Sequence, residues 1–155
     1  MDLSNTAHDT LVVLWTDDDE NDRLMIDVVL SHTARLVTLK FVEDGEQAWQ
    51  YLCGKGKFAD RQKFPFPDAV ITDLKMPRCD GFELVERIRG DKTLAPLPVF
   101  VFSASDLACD RHAAQQLGAN AYITKPNGFG RWTTTILNIL DQAAAHCLPA
   151  VASGH

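Results

Sequence analysis

The stretch Asp68-Ala69-Val70-Ile71-Thr72-Asp73 decides the fold of this 155-residue chain. Its middle residues are apolar or β-branched and stand between turn-forming residues, which is the pattern of a short buried strand. The strand ends in Asp73, and a tight turn through Met76-Pro77 and Asp80-Gly81 follows it. An aspartate in this position lies at the carboxyl edge of the sheet to which the strand belongs.

A second hydrophobic run ends in the same way. Leu11-Val12-Val13-Leu14-Trp15-Thr16 is followed by Asp17-Asp18-Asp19, which predicts a cluster of carboxylates at one edge of a sheet. Two unit charges about 4 Å apart repel each other by roughly 4 kcal/mol at an effective dielectric near 20. Chains tolerate this repulsion when a hard divalent cation lies among the oxygens. The pattern therefore indicates metal-assisted phosphate chemistry.

Each of these aspartates has an alternative interpretation. Asp17 and Asp18 could belong to a solvated loop, and Asp73 could be only a turn residue. Asp19 is interpreted as the residue that caps the following helix.

The remainder of the chain alternates strand-like and helix-like segments. Further strands are predicted at residues 36–42, 98–103 and 121–124, and helices at residues 19–31, 44–52, 82–89, 106–117 and 131–145. Such alternation predicts an α/β protein whose doubly wound parallel sheet is covered by helices on both faces. Ligands of these sheets bind beyond the carboxyl ends of the strands, where the acidic residues fall.

Composition and charge restrict the class of protein. A hydrophobic content of 46% and a charged content of 23% in 155 residues predict one globular domain with a sizeable core. The formal net charge of −6 argues against a general nucleic-acid-binding role. The sequence shows neither a membrane span nor a signal peptide, so a cytoplasmic location is expected. The cysteines form no CxxC pair and are interpreted as reduced structural thiols: Cys53, Cys79, Cys109 and Cys147.

Four predicted strand ends together supply the parts of one site. In chain order these parts are Asp17 with Asp18, then Asp73, Ser103 and Lys125-Pro126. This set resembles the receiver domain of two-component response regulators. The resemblance implies a flavodoxin-like sheet of strand order 2-1-3-4-5. It places a receiver domain at residues 11–146 between tails at residues 1–10 and 147–155.

The resemblance also implies a role for each side chain. Asp73 is the expected phosphoacceptor, taking a phosphoryl group from a sensor histidine kinase or a histidine phosphotransfer protein to form an acyl phosphate. Asp18, Asp17, Asp73 and the backbone carbonyl of Lys75 are expected to bind Mg²⁺, with Mn²⁺ as an alternative ion.

Two further side chains complete the implied site. Lys125 is expected to neutralise one phosphoryl oxygen and Ser103 to hydrogen-bond another. Lys75 and Ala104 are expected to modulate dephosphorylation, because Lys75 can project over the acyl phosphate and Ala104 leaves room for water.

Tyr122 lies three residues before Lys125, where similar receivers carry an aromatic switch residue. Phosphorylation is expected to draw Ser103 inward and let Tyr122 follow, which changes the face between Asp106 and Ala145. That face is expected to meet an unknown downstream protein, and a homodimer through it is a further expectation. The alternative is that Tyr122 packs identically in both states.

The segment from Gly54 to Pro67 is long and basic, with Lys55, Lys57, Arg61 and Lys63 among its residues. A solvated loop is the favoured interpretation, and a docking surface is the alternative. The long loop and the Asp73-Leu74-Lys75-Met76-Pro77 run resemble stand-alone receivers, some of which pair with phytochrome-type histidine kinases.

The principal alternative function is that of a haloacid-dehalogenase-like phosphatase, whose first strand also ends in Asp-x-Asp, matched here by Asp17-Asp18-Asp19. A second acidic motif is expected beyond the lysine in that family, but only Asp141 is acidic after Lys125. That interpretation also gives Asp73 no role. The chain is therefore not expected to be an enzyme beyond its own phosphorylation and dephosphorylation. A receiver-like binding module that works without phosphorylation is the third interpretation.

Overall fold

Five parallel strands form the sheet of the computed structural model, which describes residues 10–147. The strands are β1 Leu11–Thr16, β2 Val37–Val42, β3 Ala69–Thr72, β4 Val99–Ser103 and β5 Ala121–Thr124. Their order in the sheet is β2-β1-β3-β4-β5, and every pair is parallel. The predicted doubly wound α/β fold is confirmed.

Five α-helices connect and follow the strands. They are α1 Glu20–Ser31, α2 Gly45–Cys53, α3 Gly81–Gly90, α4 Ala108–Leu117 and α5 Phe129–Cys147. The predicted tails fall almost wholly at residues 1–9 and 148–155, outside the described residues. None of the helices within residues 10–147 is both long and apolar enough to cross a bilayer.

Helix α4 begins later than the predicted start at Asp106. The Ser105 hydroxyl donates to Asp110 at 2.5 Å and accepts from the Leu107 backbone N–H at 3.3 Å. These contacts hold the backbone before Ala108 in a turn, because a serine hydroxyl competes with helical hydrogen bonding.

The helix termini follow the predicted capping residues. Asp19 accepts from the backbone N–H groups of Asn21 and Asp22, which confirms it as the N-cap of α1. Gly54 ends α2 in the left-handed region, with φ of 65°, a conformation that glycine adopts without strain.

Both faces of the sheet are buried, which explains why its strands read as continuous apolar runs. Leu14, Val70 and Val101 belong to the core beneath α2, α3 and α4. Trp15 belongs to the opposite core, where it packs edge-on against Phe102 with ring centroids 5.9 Å apart.

The segment at residues 54–67 has more structure than the predicted solvated loop. It contains a short 3-10 helix at Gly56–Phe58, and Phe58 is buried against Tyr51 and Phe64. Arg61 donates to the carbonyls of Tyr51 and Leu52 at 2.8 and 3.0 Å. The last carbonyls of a helix lack regular helical partners: Arg61 supplies a donor to that of Leu52 and a second donor to that of Tyr51, which also accepts from the Gly54 N–H at 3.1 Å.

Candidate functional site

Three carboxylates meet at the carboxyl edge of the sheet. Thr16 and Thr72 are paired across β1 and β3, so the residues that follow them, Asp17 and Asp73, lie side by side. One oxygen each from Asp17, Asp18 and Asp73 can be chosen so that all three lie within 4.8 Å of one another. The structure therefore brings together the acidic cluster that the two hydrophobic runs predict.

The backbone fixes the orientation of the two buried carboxylates. Asp73 donates its N–H to the Thr16 carbonyl at 2.9 Å, and its Oδ1 accepts from the Leu74 N–H at 2.7 Å. Asp17 Oδ1 accepts from the Asp19 N–H at 2.9 Å. Each carboxylate thus keeps one oxygen on the backbone and turns the other toward the pocket.

Lys125 reaches this cluster from the end of β5. Its Nζ donates to Asp17 at 2.9 Å, to Asp73 at 2.8 Å and to Asp22 at 2.6 Å. Only 7% of its side chain is exposed, so the charge is satisfied by these carboxylates rather than by solvent. The predicted position of Lys125 in the site is confirmed.

Asp22 belongs to the pocket although the sequence indicates only a helix start there. It lies in the first turn of α1, four residues after Asp18, and therefore at the same edge of the sheet. Its position in the sequence, directly after the aspartates of the pocket, puts Asp22 near the site but does not indicate a contact with Lys125.

Burial and charge oppose each other in the pocket. Burial raises the pKa of Asp17 to about 6, although the Lys125 ammonium beside it acts to lower that pKa. Burial acts to lower the pKa of Lys125, but attraction to Asp73 and Asp17 outweighs it and the pKa is raised. Lys125 thus remains charged and serves several carboxylates at once.

The donor set fits a hard divalent cation. Asp17 and Asp73 are buried and oriented, while Asp18 is exposed. Carboxylate oxygens with access to water are the ligands that Mg²⁺ and Mn²⁺ prefer. Lys75 is exposed in the loop that follows Asp73, and the role of its carbonyl stays a prediction.

Two sets of contacts stabilise the loop between β3 and α3, one at Gly81 and one at Arg78. The Gly81 N–H donates to the Leu74 carbonyl at 2.8 Å, and a Cβ at Gly81 would lie 2.2 Å from the Asp73 carbonyl oxygen. Arg78 donates through Nε to the fully buried Asp44 carboxylate at 2.8 Å. Within residues 10–147, Arg78 is the only non-glycine residue with a positive φ, 68°.

Ser103 and Tyr122 lie beside the pocket on β4 and β5. Ser103 is 2% exposed, and its hydroxyl accepts from the Ser105 N–H at 3.3 Å. Tyr122 is buried and donates its hydroxyl to the Ser105 carbonyl at 2.7 Å, with the Arg111 guanidinium 4.7 Å from its ring centroid. Tyr122 therefore points inward, a position compatible with both interpretations of its role. Ala104 is exposed after Ser103.

Comparison with known families agrees with this geometry. The family model described as the response regulator receiver domain matches residues 13–137. The chain therefore belongs to the response regulator receiver domain family, whose members are not conventional enzymes. Its acidic pocket is formed by Asp17, Asp18 and Asp73 with Lys125. The phosphatase interpretation is set aside because the matched family is a different one.

Individual relatives include other response regulators, one of them described in red light signalling. Response regulator Rcp1 from Synechocystis sp. is 28% identical over 123 residues, which span 79% of this chain and 82% of Rcp1. The structure of response regulator RPA3017, in red light signalling of R. palustris, is 36% identical with a TM-score of 0.78. It covers 83% of this chain and 90% of RPA3017.

Two further structures show modified or metal-bound relatives. The phosphorylated cyanobacterial phytochrome response regulator RcpA is 28% identical with a TM-score of 0.78, over 85% of this chain and 92% of RcpA. The Mn²⁺-bound form of Rcp1 is 26% identical with a TM-score of 0.75, over 83% of this chain and 91% of Rcp1. Some relatives are longer, and the match spans only 53% of Rre1 from Synechocystis sp..

Proposed function

We propose that Asp73 accepts a phosphoryl group from a phosphohistidine and that this modification switches a protein-binding face of the chain. The observation that carries the proposal is the position of Asp73. Its Oδ1 is held by the Leu74 N–H, its Oδ2 contacts Lys125, and Asp17 and Asp18 lie within ligand distance of it. Such a carboxylate is fixed in orientation and has a positive charge beside the oxygen that faces the pocket, which favours formation of an acyl phosphate there.

The transfer balances without an external acid or base. An Asp73 oxygen donates an electron pair to phosphorus while the P–N bond to the histidine breaks. The ring nitrogen keeps the electrons of that bond, and the second ring nitrogen carries the proton, so neutral imidazole leaves. The product is an aspartyl phosphate, whose oxygens Lys125 and Ser103 would bind through charge-assisted and neutral hydrogen bonds.

A Mg²⁺ ion, or Mn²⁺ in its place, would be held by four groups: the carboxylates of Asp17, Asp18 and Asp73 and the carbonyl of Lys75. The set of carboxylate oxygens supports this assignment, as does the Mn²⁺-bound form of the related Rcp1. A bound divalent cation supplies positive charge that offsets the repulsion between the carboxylates and an incoming phosphoryl group.

The sensor that donates the phosphoryl group is proposed to be a phytochrome-type histidine kinase. A histidine kinase follows from membership of the receiver family. The finer assignment is supported by the similarity to RPA3017 and to RcpA, which are linked to red light signalling and to a phytochrome. A histidine phosphotransfer protein is the alternative donor.

The switched face is proposed to lie between Asp106 and Ala145. Tyr122 connects this face to the pocket, because its hydroxyl binds the loop that follows Ser103. Exposed Leu107 and Phe129 lie in the same region, 55% and 52% exposed. A downstream protein, or a second copy of the chain, would bind there.

The decisive test is intact mass after incubation with acetyl phosphate and Mg²⁺. Wild type is expected to gain one phosphoryl group, and Asp73→Ala and an EDTA-treated sample are expected to gain none. Asp27→Asn, which changes an exposed aspartate of α1 outside the cluster, is the matched control and should label normally. Labelling of Asp73→Ala would contradict the assignment. Absence of labelling from both acetyl phosphate and a phytochrome-type kinase would favour a phosphorylation-independent binding module.

A further inference from the structure

Asp22 is a carboxylate of the pocket that the proposed transfer does not use. Its Oδ2 accepts from Lys125 Nζ at 2.6 Å, a shorter distance than Lys125 makes to Asp17 or Asp73. The Asp22 side chain is 22% exposed and that of Lys125 is 7% exposed. The ion pair is thus largely shielded from solvent, where such contacts are screened less than on an open surface.

Lys125 has no free donor in this arrangement. An ammonium group carries three N–H donors, and Lys125 directs them to Asp17, Asp22 and Asp73. A phosphoryl oxygen attached to Asp73 can therefore receive a hydrogen bond from Lys125 only when one of these contacts breaks.

The three carboxylates that contact Lys125 differ in their other hydrogen-bond partners. Asp17 and Asp73 belong to the trio that can bind a cation, and each also accepts from a backbone N–H. Asp22 lies outside that trio, and within residues 10–147 Lys125 is the only hydrogen-bond partner of its carboxylate. The contact with Asp22 is therefore the one that competes with a phosphoryl oxygen for the ammonium group.

We infer that Asp22 is a positioning residue: it binds one N–H of Lys125 that a phosphoryl oxygen would otherwise receive, and so slows phosphorylation of Asp73. The inference rests on the proposed function of Asp73. No proton is transferred: a hydrogen bond from Lys125 to Asp22 breaks, one to a phosphoryl oxygen forms, and Lys125 stays charged. The negative charge of Asp22 also repels an anionic phosphoryl donor, which acts in the same direction.

The test measures the rate of acetyl phosphate labelling at saturating Mg²⁺, so that differences in cation affinity do not enter. Asp22→Asn keeps the shape of the side chain and removes its charge. We expect it to label about fivefold faster than wild type, which corresponds to roughly 1 kcal/mol. Asp22→Glu restores the charge and should return the rate toward that of wild type. Asp27→Asn removes an exposed charge from the same helix and should label at the wild-type rate.

Each outcome decides the inference. Acceleration in Asp22→Asn but not in Asp27→Asn supports it, because a merely structural loss would not increase the rate. Slower labelling would overturn it by making Asp22 an anchor that Lys125 needs, and so would a rate equal to that of Asp27→Asn. Asp22→Ser replaces Asp22→Asn if circular dichroism shows that the latter is unfolded. Failure of wild type itself to label would instead contradict the proposed function.

Discussion

Arg78 carries a conformational strain that its ion pair offsets. Its φ of 68° lies in the left-handed region, which costs a residue with a Cβ roughly 1–2 kcal/mol. Its guanidinium meanwhile binds the buried Asp44 carboxylate, which would otherwise lack a charged partner. Arg78 thus has two opposing effects on the loop that follows Asp73: its backbone conformation destabilises the loop, and its ion pair with Asp44 stabilises it.

These two effects can be separated with a pair of variants. Arg78→Ala and Arg78→Gly both remove the ion pair, but only glycine also removes the strain. We expect Arg78→Gly to be more stable than Arg78→Ala by about 1 kcal/mol, measured by urea unfolding. Equal stability of the two variants would show that the backbone is not strained at this position. Arg131→Ala, at an exposed residue, provides the control for loss of a surface charge.

The connection between β3 and α3 also contains a close backbone contact, between Gly81 at the start of α3 and Asp73. Gly81 packs directly on the Asp73 backbone, because a Cβ there would approach the Asp73 carbonyl oxygen to 2.2 Å and the Leu74 Cα to 2.9 Å. The helix start and the candidate phosphoacceptor therefore form one unit. Any group larger than hydrogen at residue 81 must move the backbone next to the reacting carboxylate.

Gly81→Ala is expected to lower the free energy of unfolding. It is also expected to lower the rate of acetyl phosphate labelling by at least tenfold. Gly90→Ala is its matched control, because Gly90 lies in the same helix and, apart from its chain neighbours and the backbone of its own helix, no atom lies within 4 Å of a Cβ placed there. That variant should label normally and be as stable as wild type or more so. Normal labelling by Gly81→Ala would mean that the Asp73 backbone tolerates displacement.

Elements that depend on local patterns could be predicted from the sequence, whereas contacts between distant residues could not. The buried strands and the caps at Asp19 and Gly54 follow from apolar runs and short-range side-chain chemistry. The contacts of Arg61 with α2 and of Arg78 with Asp44 depend on where the folded chain places two separated segments. The sequence therefore identifies Arg61 only as one residue of a basic loop and does not indicate that it contacts the end of α2.

The pocket likewise contains residues whose positions could be predicted from the sequence and one whose role could not. Asp17, Asp18, Asp73 and Lys125 stand at strand ends, and parallel strands bring their carboxyl ends to one edge, so their meeting could be predicted. Asp22 stands inside a helix, where an acidic residue near the start is also favourable for the helix dipole. Only the observed 2.6 Å contact separates that local role from its role beside Lys125.

For the whole molecule, the acidic pocket predicts that folding stability depends on divalent cations. A ligand that binds only the folded state stabilises it by about 2.7 kcal/mol when present at 100 times its dissociation constant. Wild type is therefore expected to unfold at a higher temperature in Mg²⁺ than in EDTA, as followed by circular dichroism. Mn²⁺ should have a similar effect.

Asp18→Asn should lose most of this gain, because it removes a proposed cation ligand. In EDTA the same variant is expected to be at least as stable as wild type, because it relieves repulsion within the cluster. Asp27→Asn, at an exposed residue of α1, should respond to Mg²⁺ as wild type does. A full response in Asp18→Asn would place the cation elsewhere.

The segment at residues 54–67 joins the end of α2 to the start of β3, so it lies at the amino end of the strands, opposite the pocket. Arg61 ties it to α2 rather than to the sheet edge that carries the carboxylates. We therefore expect changes of length or charge in this segment to leave the phosphorylation of Asp73 unaltered. The two ends of the sheet are then independent in this respect. The segment at the amino end can change in sequence while the lifetime of a phosphoryl group on Asp73, at the carboxyl end, is expected to stay the same.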